Sequence, residues 1–230
     1  MEAQYEVVKL SPLRKVIAAR MIEAKQTIPH YRLTADIEVD ALLALQKRLN
    51  AEARDVKLSV NDFLIKACAA TLIQSPDINI QFVGNEIRRF AQADISVVVA
   101  VEGGLSTPVL RGADKKSVYA IAREMRDLAT RATTGTLKMD EIEGGSFCIS
   151  NLGMYGVDQF DAIINPPQGA ILAIGGARPQ LTPGPDGAAR TATIMRTTLS
   201  CDHRVIDGVQ GAAFLQKLRE HIAAAEKLLI

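Results

Sequence analysis

The sequence contains no tryptophan, and aromatic residues make up only 4% of its 230 residues. A surface that stacks nucleic-acid bases on aromatic rings is therefore not expected. The formal net charge is only +1, so bulk electrostatics favours neither nucleic acid nor an anionic membrane as a partner. No apolar run reaches the length of about 18 residues that a membrane-spanning helix needs. The sequence therefore predicts no nucleic-acid partner and no membrane partner.

Cysteine is also scarce, because Cys68, Cys148 and Cys201 are the only three and lie far apart. An odd number at wide spacing provides no disulfide framework, and no C-x-x-C pair suggests a zinc site. Each cysteine lies in an apolar or strand-like stretch. We therefore expect three buried, reduced thiols and no metal cofactor.

The rest of the composition is that of a globular domain, with 48% hydrophobic and 23% charged residues. The stretch Met1–Tyr5 has the features of neither a signal peptide nor an arginine-rich transit peptide. There is no internal repeat, and the stretch rich in proline and glycine near residue 180 is too short for a linker. Residues 1–230 are therefore predicted to form one domain.

Apolar spacing and capping residues predict interleaved helices and strands, with Ser11 and Ser59 as N-caps. The predicted helices cover residues 12–28, 40–53, 59–75, 117–131 and 208–229. The predicted strands cover residues 31–39, 78–83, 86–90, 94–101, 105–110, 146–150, 169–175 and 191–201, with a surface loop at 178–190. Because these elements lack a strict strand–helix–strand rhythm, they favour an α+β fold, a mixed β-sheet covered by helices.

The first candidate for a chemical role is His203, which lies between the predicted strand 191–201 and the last helix. Polar and titratable residues crowd there between two apolar elements, and such rigid supports can hold a site. A hydrogen-bonded structural histidine is the commoner outcome at such a place and stays open. No further ligands at zinc spacing and no Gly-x-Ser-x-Gly elbow are present, and the side chain of Cys201 would diverge from His203.

Two more polar residues stand at ends of predicted elements. Asp207 could orient His203, but an extended chain would separate their α-carbons by roughly 13 Å, so only a tight turn would bring them together. Asp207 as N-cap of the last helix is an equally good interpretation. Ser150 ends a strand before a glycine-rich loop, where it could make a turn or donate to a developing oxyanion.

Several stretches carry recognisable motifs. Ser200–Gly208 contains D-H-R-x-x-D-G, and Phe147–Gly156 is F-C-I-S-N-L-G-M-Y-G. Leu105–Arg111 and Arg14–Met21 precede them, and Ala162–Gly175 lies between them. In this order the five blocks resemble the dihydrolipoamide acyltransferases of 2-oxo acid dehydrogenase complexes, from about residue 10 to residue 230. The H-x-x-x-D-G core is shared with chloramphenicol acetyltransferase.

The resemblance implies a chloramphenicol acetyltransferase-like fold and a set of roles. His203 would be the base that takes the thiol proton of coenzyme A or dihydrolipoamide, and Ser150 would donate to the oxyanion. Asp207 would hold the histidine loop, in the chloramphenicol enzyme through an arginine that corresponds to Arg14 here. Cys148 stands where the family usually has threonine, and Ser106-Thr107 replaces a bulkier apolar pair. These departures remove none of the implied catalytic groups.

The resemblance also implies partners and a place of action. The substrates would be coenzyme A and a lipoyl group from a separate domain or chain, since the 230 residues contain no lipoyl or subunit-binding domain. The stretch I-I-N-P-P-Q at residues 163–168 favours the pyruvate (acetyl) branch. The chain would form a homotrimer, with His203 of one chain facing Ser150 of the next, and a cubic or dodecahedral shell of trimers. It would work with the decarboxylase and dehydrogenase components, in the bacterial cytoplasm or the mitochondrial matrix.

Two rival hypotheses remain at this stage. One is a free-standing acetyltransferase that uses acyl-coenzyme A and a small alcohol or amine. The other is an assembly scaffold without activity, which the presence of His203, Ser150 and Asp207 disfavours. The C-terminal stretch from Lys227 to Ile230 is expected to be exposed, either as a contact between trimers or as a frayed helix end.

Overall fold

The computed structural model describes residues 3–52 and 55–229. The predicted helix end at Ala53 and the C-terminal Ile230 lie outside these residues. The helices of the described part are α1 (Pro12–Thr27), α2 (Asp40–Glu52), α3 (Val60–Ile73), α4 (Val118–Thr133) and α5 (Gly208–Ala223). The strands are β1 (His30–Glu38), β2 (Ile80–Val83), β3 (Glu86–Arg89), β4 (Ile95–Val97), β5 (Val99–Val101), β6 (Gly104–Ser106), β7 (Val109–Leu110), β8 (Phe147–Asn151), β9 (Ala170–Pro183) and β10 (Ala189–Asp202).

Six strands form the main sheet in the order β1-β10-β9-β8-β4-β7. Strand β8 runs parallel to both β4 and β9, whereas the other pairs are antiparallel. The predicted α+β fold with a mixed sheet is therefore confirmed. The pairs β2–β3 and β5–β6 are separate hairpins beside this sheet.

Alternation along the strands divides the apolar side chains between the two faces of the sheet. Phe147 and Ile149 of β8 belong to the main core, where Phe147 meets Phe214 of α5 at 5.4 Å between ring centroids. Cys148 points the other way, into a smaller cluster with Ala24 of α1 and Ile164. Helices α2 to α5 thus cover one face, and the end of α1 with the segment around Ile164 covers part of the other.

The predicted helix starts are confirmed at atomic detail. The Ser11 hydroxyl accepts a hydrogen bond from the Arg14 N–H at 3.2 Å, at the start of α1. At the start of α3, Ser59 and Asp62 form a capping box in which each side chain accepts from the other residue's backbone N–H. These caps satisfy N–H groups that a helix leaves without partners.

Most apolar side chains of α1 are not buried within this chain. Val16 and Ile22 are each 57% exposed, and Ala24 is the one residue of the helix that is buried. The helix rests on the β5–β6 hairpin, where Leu13 and Ile17 lie against Gly104. Periodicity therefore predicted the helix correctly but not what covers its apolar side.

The run predicted as one central strand at residues 94–101 is two short strands in different sheets. β4 pairs with β8 and β7, and the chain leaves the main sheet after the Val98 N–H donates to the Ile149 carbonyl. β5 then pairs with β6 across a turn at Gly103, whose φ of 77° is in the left-handed region. β-branched residues predict extended backbone but do not identify its partner.

The prediction of a surface loop at residues 178–190 is wrong, because most of these residues belong to strands β9 and β10. β9 and β10 continue their antiparallel ladder as far as the pair Pro183 and Ala189. Pro179 and Pro183 are tolerated because β9 pairs with β8 only at residues 171–174, so the outer edge of β9 needs no N–H donors beyond that point.

The last helix ends earlier than predicted, since α5 stops at Ala223 and a short 3-10 helix covers Ala225–Leu229. Val209 at the start of α5 is 82% exposed, whereas Leu228 of the stretch expected to be exposed is 2% exposed. The change of helix type turns the final apolar side chains back onto the core.

Candidate functional site

The candidate site centres on the tight turn between β10 and α5. The carbonyl of Asp202 accepts hydrogen bonds from the Val205 and Ile206 N–H groups at 3.1 and 3.0 Å. The His203 N–H donates to the Pro29 carbonyl at 3.2 Å, which ties the turn to the start of β1. The buried side chain of Ile206 anchors the turn in the core.

This turn presents the His203 side chain at the surface, 52% exposed. Its Nδ1 lies 3.9 Å from the nearer carboxylate oxygen of Asp207, close enough for charge interaction but too far for a hydrogen bond. The turn thus supplies the compaction that an extended chain could not. Asp207 also stands at the N-cap of α5, where its N–H donates to the Gln210 side chain at 2.7 Å. The two interpretations of Asp207 are therefore compatible.

Tyr31 is a neighbour of His203 that sequence reasoning missed. The two rings lie 4.4 Å apart between centroids and are tilted by 45°. The Tyr31 hydroxyl is buried and has no hydrogen-bond partner of normal geometry among the residues that the structure describes. Burial raises the pKa of this phenol far above its ordinary value. Tyr31 packs against the main core, and its pairing with Cys201 in the β1–β10 ladder brings it beside His203.

Ser150 lies at a different place, near the end of β8. It is half-buried and lines a cleft of about 520 Å³. The cleft is bounded by the start of α3, one side of α4 and the loop after β8, and its apolar lining includes Val97, Leu105, Met125, Leu152 and Met154. The neighbouring Asn151 makes the turn, because its side-chain oxygen accepts from the Gly153 N–H at 2.9 Å. Within the described part of the chain, the Ser150 hydroxyl has no hydrogen-bond partner and is free to donate.

His203 and Ser150 do not meet within one chain. Ser150 pairs with Ala173 of β9, and Ala173 pairs with Thr198 of β10. His203 follows Thr198 by five residues and lies two strands away from Ser150. With spacings of about 4.8 Å between strands and 3.3 Å per residue, the two α-carbons are on the order of 20 Å apart. One chain therefore carries both groups at opposite ends of its sheet.

The predicted support from Arg14 to Asp207 is also not formed within one chain. Arg14 is exposed on α1, and its side chain makes no hydrogen bond or ion pair with any residue of the described part. The part of the helix that carries Arg14 lies on the β5–β6 hairpin, where Leu13 and Ile17 are next to Gly104. The structure thus brings together His203 and Asp207 but leaves Ser150 and Arg14 elsewhere.

His30 is a structural histidine, unlike His203. One ring nitrogen, Nε2, accepts from the Ile164 N–H at 3.0 Å, so the other must carry the proton and donates to the Ile28 carbonyl at 2.9 Å. Partial burial is the main reason that its pKa lies below the ordinary value. Both nitrogens are thereby used in holding the backbone.

The cysteines offer no alternative nucleophile. Cys68, Cys148 and Cys201 are buried and free, as predicted. Burial raises the pKa of Cys148 and of Cys201 to about 12, so both thiols stay protonated at neutral pH. Among residues 3–52 and 55–229, no three His, Cys, Asp or Glu side chains group as metal ligands would. None of the helices in these ranges combines the length and apolarity that crossing a bilayer requires.

Solved structures share this fold. A chloramphenicol acetyltransferase structure aligns over 89% of this chain and 94% of its own with a TM-score of 0.56, and at 14% identity this likeness concerns the fold alone. The cubic core of a pyruvate dehydrogenase multienzyme complex aligns over 99% of this chain and 95% of its own, with a TM-score of 0.94 and 31% identity. The dihydrolipoamide acetyltransferase of Azotobacter vinelandii matches equally well, with a TM-score of 0.93, 31% identity and the same coverage. The fold is thus that of an acyltransferase core.

Residues 2–230 match the family model of the 2-oxoacid dehydrogenases acyltransferase catalytic domain, and the chain belongs to this family. The acetyltransferase component of the pyruvate dehydrogenase complex of Zymomonas mobilis is 48% identical over 95% of this chain. The mitochondrial counterpart of Dictyostelium discoideum is 49% identical over 96% of it. The chain spans 50% and 35% of the length of these two relatives.

Proposed function

We propose that the chain moves an acetyl group between dihydrolipoamide and coenzyme A, as the catalytic domain of a pyruvate dehydrogenase acetyltransferase. The observation that carries the proposal is the exposed His203, presented on a rigid turn 3.9 Å from Asp207. We infer the acetyl group and the pyruvate dehydrogenase complex from two relatives, 48% and 49% identical, which are named as acetyltransferase components of that complex. Since the chain spans half of those relatives or less, the lipoyl group would arrive on a separate domain or chain.

His203 is proposed as the general base. Thiols titrate near pH 8.5, so at neutral pH coenzyme A is mostly protonated and weakly nucleophilic. A neutral imidazole that removes the thiol proton as the sulfur attacks can supply roughly 10²–10⁴-fold in rate. The attack forms a carbon–sulfur bond to the thioester carbonyl, and the bond to the lipoyl sulfur then breaks. The proton held by His203 passes to that leaving thiolate, so the histidine returns to its neutral state.

Ser150 is proposed as the oxyanion donor. The carbonyl oxygen gains negative charge when the tetrahedral intermediate forms, and one well-placed donor is worth roughly 10²–10³ in rate. Ser150 is half-buried, and its hydroxyl makes no hydrogen bond with any described residue, so it is available to donate to the oxyanion of the tetrahedral intermediate. No covalent enzyme intermediate is needed, because the thioester is already activated. Direct transfer in a ternary complex is expected, and trapping an acetyl-enzyme under turnover would contradict it.

Asp207 is proposed to orient the imidazole, with Arg14 as a support supplied in the assembled protein. In the Azotobacter vinelandii enzyme, the catalytic mechanism was probed at a serine, a histidine and an asparagine, the last two four residues apart. His203 and Asp207 have the same separation, with aspartate in place of asparagine. A carboxylate 3.9 Å from Nδ1 favours the ring orientation in which Nδ1 faces it.

The separation of His203 from Ser150 supports a site built between two chains. A base and an oxyanion donor on the order of 20 Å apart cannot serve one carbonyl carbon, whereas His203 of one chain could face Ser150 of the next. We propose a homotrimer on this ground and from the family resemblance. Because the structure of a cubic core is among the similar ones, assembly of trimers into a cubic shell is the first form to look for. A mass measurement in solution tests both the trimer and the larger shell.

Partners and compartment follow from the same relatives. We propose that the chain works with the decarboxylase and dehydrogenase components of the complex, since its relatives are named as components of that complex. The relatives are bacterial and mitochondrial, so we propose the bacterial cytoplasm or the mitochondrial matrix as its compartment.

The decisive experiment measures acetyl transfer from acetyl-coenzyme A with and without dihydrolipoamide. We expect transfer only with dihydrolipoamide and a loss of roughly 10²–10⁴-fold in kcat for His203→Ala. The control is His221→Gln, a histidine on α5 at a different place, which should keep the parent rate. Acetylation of a small alcohol or amine instead of dihydrolipoamide would identify the free-standing acetyltransferase. Equal, negligible transfer by parent and His203→Ala would indicate an assembly scaffold.

A further inference from the structure

The D-H-R-x-x-D-G motif contains two residues with no task in the proposed reaction, Asp202 and Arg204. Asp202 ends β10 and is 1% exposed. Its carboxylate accepts from the Arg204 backbone N–H at 3.0 Å, from Nε at 2.9 Å and from Nη2 at 2.6 Å. A buried carboxylate is costly without a paired cation, and the two-pronged arginine contact is the strongest such pairing.

The guanidinium of Arg204 is also held on its flat face. Its central carbon lies 4.7 Å from the ring centroid of Phe82, on strand β2 of the small hairpin. A cation over an aromatic face is attracted by the ring's charge distribution. Asp202 thus fixes the edge of the guanidinium, and Phe82 fixes its plane. We call these three residues the Arg204 clamp.

The clamp flanks His203 in the sequence, because Asp202 and Arg204 are the residues directly before and after it. Backbone hydrogen bonds hold this segment, since the Asp202 N–H donates to the Gly169 carbonyl and the His203 N–H to that of Pro29. The imidazole itself makes no hydrogen bond within the described residues. Its nearest carboxylate is at 3.9 Å, and its closest ring contact is Tyr31. The orientation of the imidazole therefore depends on the position of the backbone at His203.

We propose that Arg204 is a positioning residue, whose clamp with Asp202 and Phe82 holds the turn so that the His203 imidazole points at the reacting thiol. The inference rests on the proposed function, in which His203 is the base. Arg204 acts through His203 and does not touch substrate. A misplacement of about 1 Å at a catalytic group can cost roughly 10²-fold in rate.

The test is Arg204→Lys, which keeps the charge but lacks the planar fork that matches a carboxylate. We expect kcat to fall by roughly 10- to 100-fold, with KM for coenzyme A and for dihydrolipoamide within about two-fold of the parent. Phe82→Leu removes only the ring face and should lower kcat by about two- to five-fold with the same KM pattern. If Arg204→Lys does not fold, Phe82→Leu decides.

The matched control is Arg196→Lys. Arg196 also lies on β10 and also forms a two-pronged pair, with Nε and Nη2 at 2.6 and 2.8 Å from Asp36, but it lies seven residues before His203. It should keep the parent kcat. An equal loss in Arg196→Lys, a loss confined to KM, or an unchanged kcat in both clamp variants would overturn the inference.

A structure of Arg204→Lys in the assembled protein gives a readout that needs no activity. We expect the His203 imidazole to be displaced by about 1 Å or more while β1 stays in place. An unmoved imidazole overturns the clamp. If His203→Ala keeps the parent rate, the proposed function fails instead, and this structure still judges the clamp by itself.

Discussion

The His203 turn and the Ser150 cleft differ in what a single chain gives them. The turn has a fixed backbone, with four backbone hydrogen bonds around Asp202 and His203, but about half of the His203 side chain is exposed. Ser150 has a cleft of about 520 Å³ beside it, but its hydroxyl has no partner within the described residues. The proposed base therefore has no cleft beside it within the described part of one chain, and the proposed oxyanion donor lines a cleft that His203 of the same chain does not reach. Under the proposed mechanism, each chain carries two half-sites, and a complete site forms only where two chains meet.

After His203→Ala, the largest effect is expected when the hydroxyl is removed from the Ser150 cleft. For Ser150→Ala we expect kcat to fall by roughly 10²–10³-fold, because the developing oxyanion loses its donor. Steady-state kinetics with both substrates measures the loss. The control is Ser106→Ala in β6, outside the set of residues that line the cleft, which should keep the parent rate. A fall of less than about two-fold in Ser150→Ala would remove Ser150 from the mechanism.

Mixing the two inactive variants tests whether the half-sites belong to different chains. If the His203→Ala and Ser150→Ala chains are denatured together and reassembled at equal amounts, about a quarter of the interfaces should pair an intact His203 with an intact Ser150. Activity should then recover to about a quarter of that of parent protein treated identically. No recovery, with mixed assembly verified by mass, would mean that both groups act from one chain.

Part of this architecture was accessible from sequence, and the reason differs from residue to residue. Ser59 and Asp62 predicted their capping box because both partners lie within one helical turn, and His203 was found because a motif places it between two elements. The contact of Tyr31 with His203 depends on the register of β1 against β10, which joins residues 170 positions apart. No local pattern encodes that pairing.

Two differences between the predicted and the observed fold have a common cause. Val16 and Ile22 are apolar residues of α1 that are exposed in this chain, and the strand predicted at residues 94–101 is divided between two sheets. Periodicity reports which side of an element is apolar, but the partner that covers it is chosen by tertiary or quaternary structure. Likewise, the distance between His203 and Ser150 follows from strand order, which composition and spacing do not determine.

A smaller effect is expected for Asp207→Asn. Asparagine is as good an N-cap as aspartate, so the free energy of unfolding should change by less than about 0.5 kcal/mol. Since an asparagine lies four residues after the histidine studied in the Azotobacter vinelandii enzyme, kcat should stay within about three-fold of the parent. Asp207→Leu, which loses both the cap and the polar neighbour of His203, should lower both stability and kcat. Kinetics with urea unfolding separates the two contributions, and a large kcat loss in Asp207→Asn would show that the negative charge itself is required.

The smallest expected effect distinguishes His203 from the structural His30. Burial lowers the pKa of His30 in the folded state, so the unfolded chain binds a proton more readily than the folded one. The stability contributed by neutral His30 is therefore complete above its unfolded pKa of about 6.5 and is lost as the pH falls through and below that value. Physically, a proton on Nε2 removes the acceptor for the Ile164 N–H. Urea unfolding from pH 8 to pH 5 should show this decline, and His30→Gln should flatten it.

His221 also has a pKa lowered by burial, so His221→Gln should remove a separate part of the same slope. An unchanged slope in His30→Gln would mean that the contact with Ile164 does not control this part of the pH dependence.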